Sequence, residues 1–432
     1  MLIRSLAEVI GGGVRTGRRE LIRDINRTLL LNLVRERGVA SRAELARVSG
    51  LSPSTVTAIT ASLLGDGFLL EDAASAPLTT GPAAVGRPAT NLRVNERAGH
   101  VVGIKVAADH LSATVTDLAA TPLAAAEFER NHADDPARIA AQFAALVDRC
   151  LTEAGVSSDS LLGLGIGVPG IVDPRSGRVV GSPLGDWGQL DLVGILESSL
   201  GLAVHIDNDV NTLTVAEQLF GAGRGLSDFV VVTVGLGIGM GIVVHGNIHR
   251  GAHGGAGELG HVLAVPNGPD CWCGRRGCLE AVAAEPALVR EVLALTGRLA
   301  KPADLAHHAD GDPDIAAILE RAGRLVGRAI AAATMILDPS RVIVSGEGVR
   351  LGDHYLAALR AGLAERATKE VATEVVIEQW GDEAWARGAA TLVLRELFHP
   401  AHLRDGEPST VDPAARSTTS SRPLVRSSHG GS

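Results

Sequence analysis

Three of the four cysteines fall within one short segment, 271-CWCGRRGC-278, and a histidine closes the upstream stretch 257-GELGH-261. A Cys-x-Cys pair followed five residues on by a third thiol can wrap one tetrahedral ion, with Gly274 and Gly277 permitting the turns. With His261, the thiols of Cys271, Cys273 and Cys278 make a set of one imidazole and three thiolates. Zinc takes such soft, four-coordinate sets, and a set with no open position is structural rather than catalytic. The alternative is three unligated buried thiols. Cys150, in the helical pattern AQFAALVDRCLTEA, reads as a buried packing thiol.

At 432 residues the chain exceeds one ordinary core, so two or three domains are expected. No apolar run reaches the roughly 20 residues needed to span a bilayer, and no signal-peptide pattern opens the chain. The expected location is the cytoplasm, where so few cysteines do not make a disulfide framework. Residues 1–97 hold 13 arginines, no lysine and 9 acidic residues, so +4 stands there and −13 on the rest. A basic start on an acidic body places any nucleic-acid contact at the N-terminus.

Helical spacing of Ile25, Leu29, Leu30 and Leu33 marks a first helix over 23–37. Ser41, with Glu44 three residues on, has the form of a capping box opening a second helix. After a turn at Gly50-Leu51, Ser52 as N-cap and Pro53 in the first turn open a third. Three short helices with a tight turn before the last predict a helix-turn-helix. Residues 66–95 follow as two strand-like runs around a Gly/Pro/Ala-rich loop, a wing with a mobile tip.

From about residue 99 strands and helices alternate, which indicates an α/β body. Strands are expected across 100–118, within 161–173 where the strand runs into a Gly-Pro loop, from 202, across 228–246, near 341–345 and near 374–378. Helices are expected in the later part of 202–223 and over 281–297, 313–337 and 352–368. Beyond Pro400 the composition predicts a disordered tail. The expected domains are an N-terminal extension (1–19), a winged helix-turn-helix (20–97), a two-lobed body (98–398) and the tail (399–432).

Within the body, carboxylates and amides gather at 207-DNDVN-211, Glu258 and Glu280. Adjacent sugar hydroxyls match such groups, which accept and donate in pairs. Asn208 and Asp209 end a predicted strand, where ligands collect in open α/β sheets. The run 235-GLGIGMG-241 suits either close approach of backbone amides to an anion or the packing of a tight hairpin.

The stretch VGLGIGMGIVVHGNIHRGAHGGAGELGHV, followed by CWCGRRGCLE, closely resembles the ROK family of bacterial sugar kinases and sugar-responsive repressors. The winged helix-turn-helix in front, ending in 86-GRP-88, resembles the family's repressor branch, which includes xylose- and N-acetylglucosamine-type regulators. The resemblance spans roughly residues 20 to 398. It implies an actin-like, two-lobed sugar-kinase fold with a sugar in the cleft and a structural zinc on His261, Cys271, Cys273 and Cys278. It also implies sugar contacts from Asn208, Asp209, Glu258, His261 and Glu280. One departure bears on activity. ROK kinases begin their first lobe with an Asp-x-Gly-Gly-Thr phosphate loop, but here Lys105 stands at the aspartate position and Ala107-Ala108-Asp109 replaces the glycines and threonine. Without those glycines and the metal-side carboxylate, phosphoryl transfer is not expected, although Asp209 matches the kinases' catalytic base.

The expected function is therefore a transcriptional regulator, in this branch a repressor, not an enzyme. Its partners would be a double-stranded DNA operator, a sugar or sugar-phosphate effector, and a second copy in a homodimer or tetramer. Ser52, Ser54, Thr55 and Thr57 at the start of the recognition helix would meet base edges and phosphates. Arg87 at the wing tip would enter the minor groove, and Arg42 and Arg47 would anchor phosphates. Sugar would close the cleft and reorient the winged helices, with zinc stiffening the segment that carries His261 and Glu280. Two competing readings are an ATP-dependent hexose kinase fused to a DNA-binding domain and a regulator controlled by a protein partner.

Overall fold

The computed structural model describes residues 18–72, 90–130, 135–184, 190–297, 299–365 and 373–398. The expected wing tip with Arg87 and the expected tail lie outside the described residues.

Helices α1 (Arg18–Arg37), α2 (Arg42–Ser49) and α3 (Pro53–Gly65) form the N-terminal body. The hydroxyl of Ser41 accepts the Glu44 N–H at 3.2 Å, and that of Ser52 accepts the Thr55 N–H at 3.2 Å. Each such cap contributes about 1 kcal/mol. The side chain of Glu44 pairs with Arg37 at 3.4 Å. Gly50, at φ 71°, ends α2 in the left-handed region, which lets α3 turn away sharply. On α1 the buried apolar residues are Leu30, Leu31 and Val34, while Ile25 and Leu29 stay 38% and 37% exposed. The packed stripe therefore lies toward the C-terminal side of the spacing read from the sequence. Strands β1 (Ala40–Ser41), β2 (Leu69–Asp72) and β3 (Asn91–Val94) make an antiparallel sheet in the order β1-β3-β2, the base of the wing.

The first lobe runs β4 (His100–Val106), β5 (His110–Thr116), β6 (Pro122–Glu129), α4 (Pro136–Ala154), β7 (Leu161–Val168), β8 (Ile171–Val172), β9 (Val179–Gly181), α5 (Leu192–Leu200) and β10 (Ala203–Asn208). Helix α6 (Asp209–Phe220) leads to the second lobe: β11 (Phe229–Val234), β12 (Ile238–Val244), β13 (Asn247–Ile248), α7 (Leu279–Ala283), α8 (Glu285–Thr296), α9 (Leu305–Gly311), α10 (Pro313–Leu337), β14 (Arg341–Ser345), α11 (Gly352–Ala364) and β15 (Glu374–Ile377). Helix α12 (Asp382–Phe398) closes the described chain. The helix expected over 281–297 is two helices that meet at Ala284, just before Pro286.

The two large sheets share one plan. Their orders are β6-β5-β4-β7-β10 and β13-β12-β11-β14-β15. In each, the first strand pairs antiparallel with the second and parallel with the fourth. Such twin sheets put the β4–β5 turn and the β11–β12 turn at equivalent places in the two lobes.

Helix α12 returns from the second lobe to lie on the first. A Cβ on Gly103 would stand 1.9 Å from the Ala386 carbonyl oxygen, and one on Gly165 1.9 Å from that of Ala389. Bare glycine faces on β4 and β7 thus let the helix backbone seat directly on the sheet. Its far end packs with the N-terminal body, where Val393, Leu394, Leu397 and Phe398 join Leu30, Leu31 and Val34 in one core. The Asn32 side-chain amide donates to the Phe398 carbonyl at 2.5 Å.

Glu217, on α6, is fully buried. Burial, a hydrogen bond donated to Glu378 and repulsion from that carboxylate push its carboxyl up to about 7. The Trp380 indole N–H reaches both carboxyls, at 2.6 Å and 3.0 Å. These groups join α6 to the segment between β15 and α12.

Two outcomes test this packing. Gly165→Ala should lower stability by about 3 kcal/mol or more, read from the denaturant midpoint, because the clash is with backbone that cannot swing away. Glu217 keeps its proton to a higher pH folded than unfolded, so its contribution is present in acid and is lost as pH rises from 4.5 to about 7. The melting temperature of Glu217→Gln relative to the natural chain should therefore rise between about pH 5 and about pH 8.

Candidate functional site

Strand β10 ends at Asn208, and α6 begins at Asp209, which places both residues at the mouth between the lobes. Asn208 caps the helix by accepting the Asn211 N–H at 3.1 Å, and its amide donates to the Gly170 carbonyl at 2.9 Å. Burial pushes the Asp209 carboxyl up to about 6, against the pull of the Lys105 ammonium. Glu258 precedes a single 3₁₀ turn, Leu259–His261, and its carboxylate stands 3.7 Å from His261 Nε2. Burial raises the Glu258 pKa, and repulsion from Glu280 and Asp209 adds to it. Glu280, in the first turn of α7, accepts the Ile238 N–H at 3.0 Å and the Trp272 indole N–H at 2.5 Å. Three of the residues expected to contact sugar, Asp209, Glu258 and Glu280, thus lie close enough for Glu258 to feel the charges of the other two.

The opposite ring nitrogen of His261 points at the thiols. Its Nδ1 lies 3.6 Å from Cys271 Sγ, and Cys273 Sγ lies 3.7 Å from Cys278 Sγ. All four donor atoms lie within 4.8 Å of one another. Burial opposes the Cys273 thiolate, but hydrogen bonds from Arg275 and the neighbouring thiols bring its pKa down to about 7. Three sulfurs and an imidazole converging on one point fit a tetrahedral metal, and no fifth protein donor is needed. The knuckle is built on Gly274 and Gly277, both in the left-handed region at φ 83° and 72°. His261 therefore faces the thiols with one nitrogen and the Glu258 carboxylate with the other.

Lys105 was expected only as the residue that displaces a kinase aspartate, and its partners come from remote sequence. Its ammonium lies 2.6 Å from Asp382 at the start of α12 and 3.4 Å from Glu347 in the second lobe. It also sits 4.6 Å over the Trp385 ring. Burial opposes the charged form, yet Glu347 and Asp382 outweigh it and hold the pKa above the ordinary lysine range. His110 donates or accepts at both nitrogens, 2.7 Å from Asp109 and 2.8 Å from Asp382. The lysine type itself was a missed signal: the chain has three lysines against 37 arginines.

On the DNA-binding face, Ser52 and Ser54 are exposed at the start of α3, with their hydroxyls 3.0 Å apart. Thr55 joins them at 2.8 Å, and the exposed Thr57 donates to the Pro53 carbonyl. Arg42 is turned inward: its guanidinium donates to Thr60 at 3.1 Å and pairs with Glu71 at 3.5 Å. Arg47 is exposed.

Fold and site together define a winged-helix protein carrying a two-lobed domain with a carboxylate-lined cleft. Residues 101–396 match the ROK family, so the chain belongs to that family, and residues 23–69 match a winged helix-turn-helix DNA-binding domain. The DNA-binding transcriptional dual regulator NagC of Escherichia coli (strain K12) is 30% identical over 414 residues, covering 90% of this chain and 97% of that protein. A crystal structure of a ROK family transcriptional regulator, a homologue of the E. coli Mlc protein, superposes with a TM-score of 0.75 at 25% identity, covering 87% of this chain and 97% of that one. A ROK family glucokinase from Streptomyces griseus, in complex with glucose and AMPPNP, gives a TM-score of 0.61 at 28% identity. That kinase is matched over 99% of its length but covers only 68% of this chain. The body thus has the actin-like sugar-kinase fold, and the regulators are matched along nearly their whole length. No helix among the described residues is long and apolar enough to cross a membrane.

The ligand cluster predicts a metal stoichiometry. Purified chain should carry about one transition-metal ion, and Cys273→Ser should carry less than about a tenth of one and melt at lower temperature, because metal affinity is folding free energy. Elemental analysis and thermal unfolding read the two effects.

Proposed function

We propose that the chain is a sugar-responsive transcriptional repressor that works in the cytoplasm as a homodimer or tetramer. In this reading residues 20–97 bind the operator and residues 98–398 bind the sugar. The observation that carries it is α12. One end of this helix meets the cleft residue Lys105 through Asp382, and the other is buried in the core shared with α1. A helix of 17 residues is about 25 Å long, so it spans the distance between effector cleft and DNA-binding body as one stiff element. A sugar that changes lobe closure therefore shifts the seat of the winged helix, a coupling between two sites through a packed body.

Asn208, Asp209, Glu258, His261 and Glu280 take the sugar hydroxyls. A zinc ion is held by His261, Cys271, Cys273 and Cys278, where it supplies no chemistry and stiffens the loop leading to Glu280. Ser52, Ser54, Thr55 and Thr57 face the major groove, and Arg87 reaches the minor groove from the wing. Arg42, also proposed for phosphate contact, would first have to leave Thr60 and Glu71.

A phosphoryl-transfer reading is disfavoured by the same lysine. Kinases need a metal-side carboxylate and open backbone donors at this turn, and here a paired ammonium stands instead. Asp209 remains as a sugar ligand without a phosphoryl donor to serve.

Gel-shift titration of the chain on its own upstream DNA, with and without a panel of pentoses, hexoses and N-acetylhexosamines, tests the proposal. One sugar should change the apparent DNA affinity by about 10-fold or more, the usual range of a coupling energy. A coupled ATP-turnover assay with the same sugars should stay at background. DNA binding indifferent to every sugar, or sugar-dependent turnover, would overturn the reading.

A further inference from the structure

A cavity of about 140 Å³ opens at the joint between the winged helix and the first lobe, away from the inter-lobe cleft. Arg35, in the last turn of α1, and Arg93 and Val94, on β3, wall one side. Leu118 and Ala119, in the turn between β5 and β6, wall the other, and the exposed Glu96 lies between them.

Arg35 is the unusual member. Burial pushes the guanidinium below its ordinary range at Arg35, Arg130 and Arg387. Arg130 donates to the carbonyls of Ala107, Ala108 and Leu184, and Arg387 to that of Ala120. Arg35 has no hydrogen-bond acceptor or ion-pair partner among the described residues, and its guanidinium lies 4.3 Å from the centre of the Phe398 ring. Arg93 is exposed and also lacks an ion-pair partner among them. A partly desolvated guanidinium without an acceptor is costly until an anion meets it.

The first-lobe wall is already built. The Asp117 carboxylate accepts the Ala119 and Thr121 N–H groups at 2.9 Å and 2.8 Å, which turns that acid onto its own backbone. The Leu118 N–H donates to the Glu96 carbonyl at 2.9 Å, and Arg387 holds the Ala120 carbonyl at 2.7 Å. Two guanidiniums against the single Glu96 carboxylate leave the lining one positive charge, which a monoanion neutralises and a dianion overshoots. Val94, Leu118 and Ala119 offer apolar contact, and a void of this size takes a molecule roughly as large as benzene.

We propose that this cavity binds a small organic monocarboxylate, with its carboxylate between Arg35 and Arg93 and its apolar body against Val94, Leu118 and Ala119. The site goes beyond the sugar-responsive reading and does not depend on it. Its occupant touches the winged helix and the first lobe together and, through Arg35, meets Phe398 at the end of α12. A DNA phosphate is the other anion to consider. Arg93 lies past Asn91 toward the body end of β3, away from the β2–β3 connection that forms the wing, and the first lobe supplies the facing wall. That position favours a small solute.

Isothermal titration of the full chain, at fixed pH and ionic strength with chloride as the control anion, tests this with acetate, butyrate, lactate and benzoate. Inorganic phosphate and glycerol 3-phosphate are the comparison arm. At least one carboxylate should give a saturable, single-site isotherm. Arg93→Gln should weaken it by about 10-fold or more, because hydrogen bonds between charged partners are the strong ones. Arg35→Lys, which keeps the charge and loses the planar fork, should weaken it by about 5-fold or more. Arg97→Gln, at an exposed arginine outside the cavity, should leave the affinity unchanged. The ligand-free melting temperature of Arg93→Gln should match that of the natural chain, which separates loss of the site from loss of the fold. No saturable binding of any carboxylate, or an affinity indifferent to both arginines, overturns the inference. Tighter binding of phosphate or its ester at the same arginines overturns the carboxylate class. If small anions fail to bind and Arg93→Gln instead weakens operator binding with a shallower salt dependence, the arginines are DNA contacts and the inference falls.

Discussion

The seat of α12 on the first sheet is the contact on which the rest of the molecule depends. Gly103 and Gly165 remove the side chains that would hold the helix off, and its backbone reaches the strands directly. Once seated, the helix covers β4 and β7, meets α6 between the lobes, and carries its last turn into the core beneath the winged helix. Protein interiors are close-packed and do not deform smoothly, so a helix buried along most of its length moves as a body. Mechanical continuity between cleft and DNA-binding part is a consequence of this packing rather than of any special linker.

The cleft itself is an exercise in unequal charge. Four carboxylates crowd around one ammonium and one imidazole, and burial raises the cost of every charge left without a partner. Lys105 survives there because Glu347 and Asp382 offset its desolvation. Asp209 and Glu258 have less help, and their pKa values rise. The cysteine knuckle shares His261 with this cleft, one ring nitrogen toward Cys271 and the other toward Glu258, and its Arg275 offsets part of the Glu258 repulsion.

Much of this was legible in sequence. The three N-terminal helices, their Ser41 and Ser52 caps, the strands near 161, 203 and 341, and the convergence of His261 with Cys271, Cys273 and Cys278 all follow from short-range patterns. Such features are set by residues a few positions apart, whose periodicity and capping chemistry are written locally. Helix α12 was not read at all. Buried on nearly every side, it lacks the polar face that creates a helical period, and Gly388 in its middle argues locally against a helix. The single helix expected over 281–297 failed for a related reason, since apolar spacing continues across the break at Ala284.

Sequence alone thus determined the winged helix-turn-helix, the α/β body and the grouping of His261 with three cysteines, because each is a matter of neighbours along the chain. Only the tertiary structure decided that the two sheets repeat one plan and that α12 ties cleft to DNA-binding core. It alone brought residues 105, 347 and 382 to one point. Those contacts join segments more than two hundred residues apart, and nothing in the local pattern around Lys105 records which carboxylates the folded chain will bring to it.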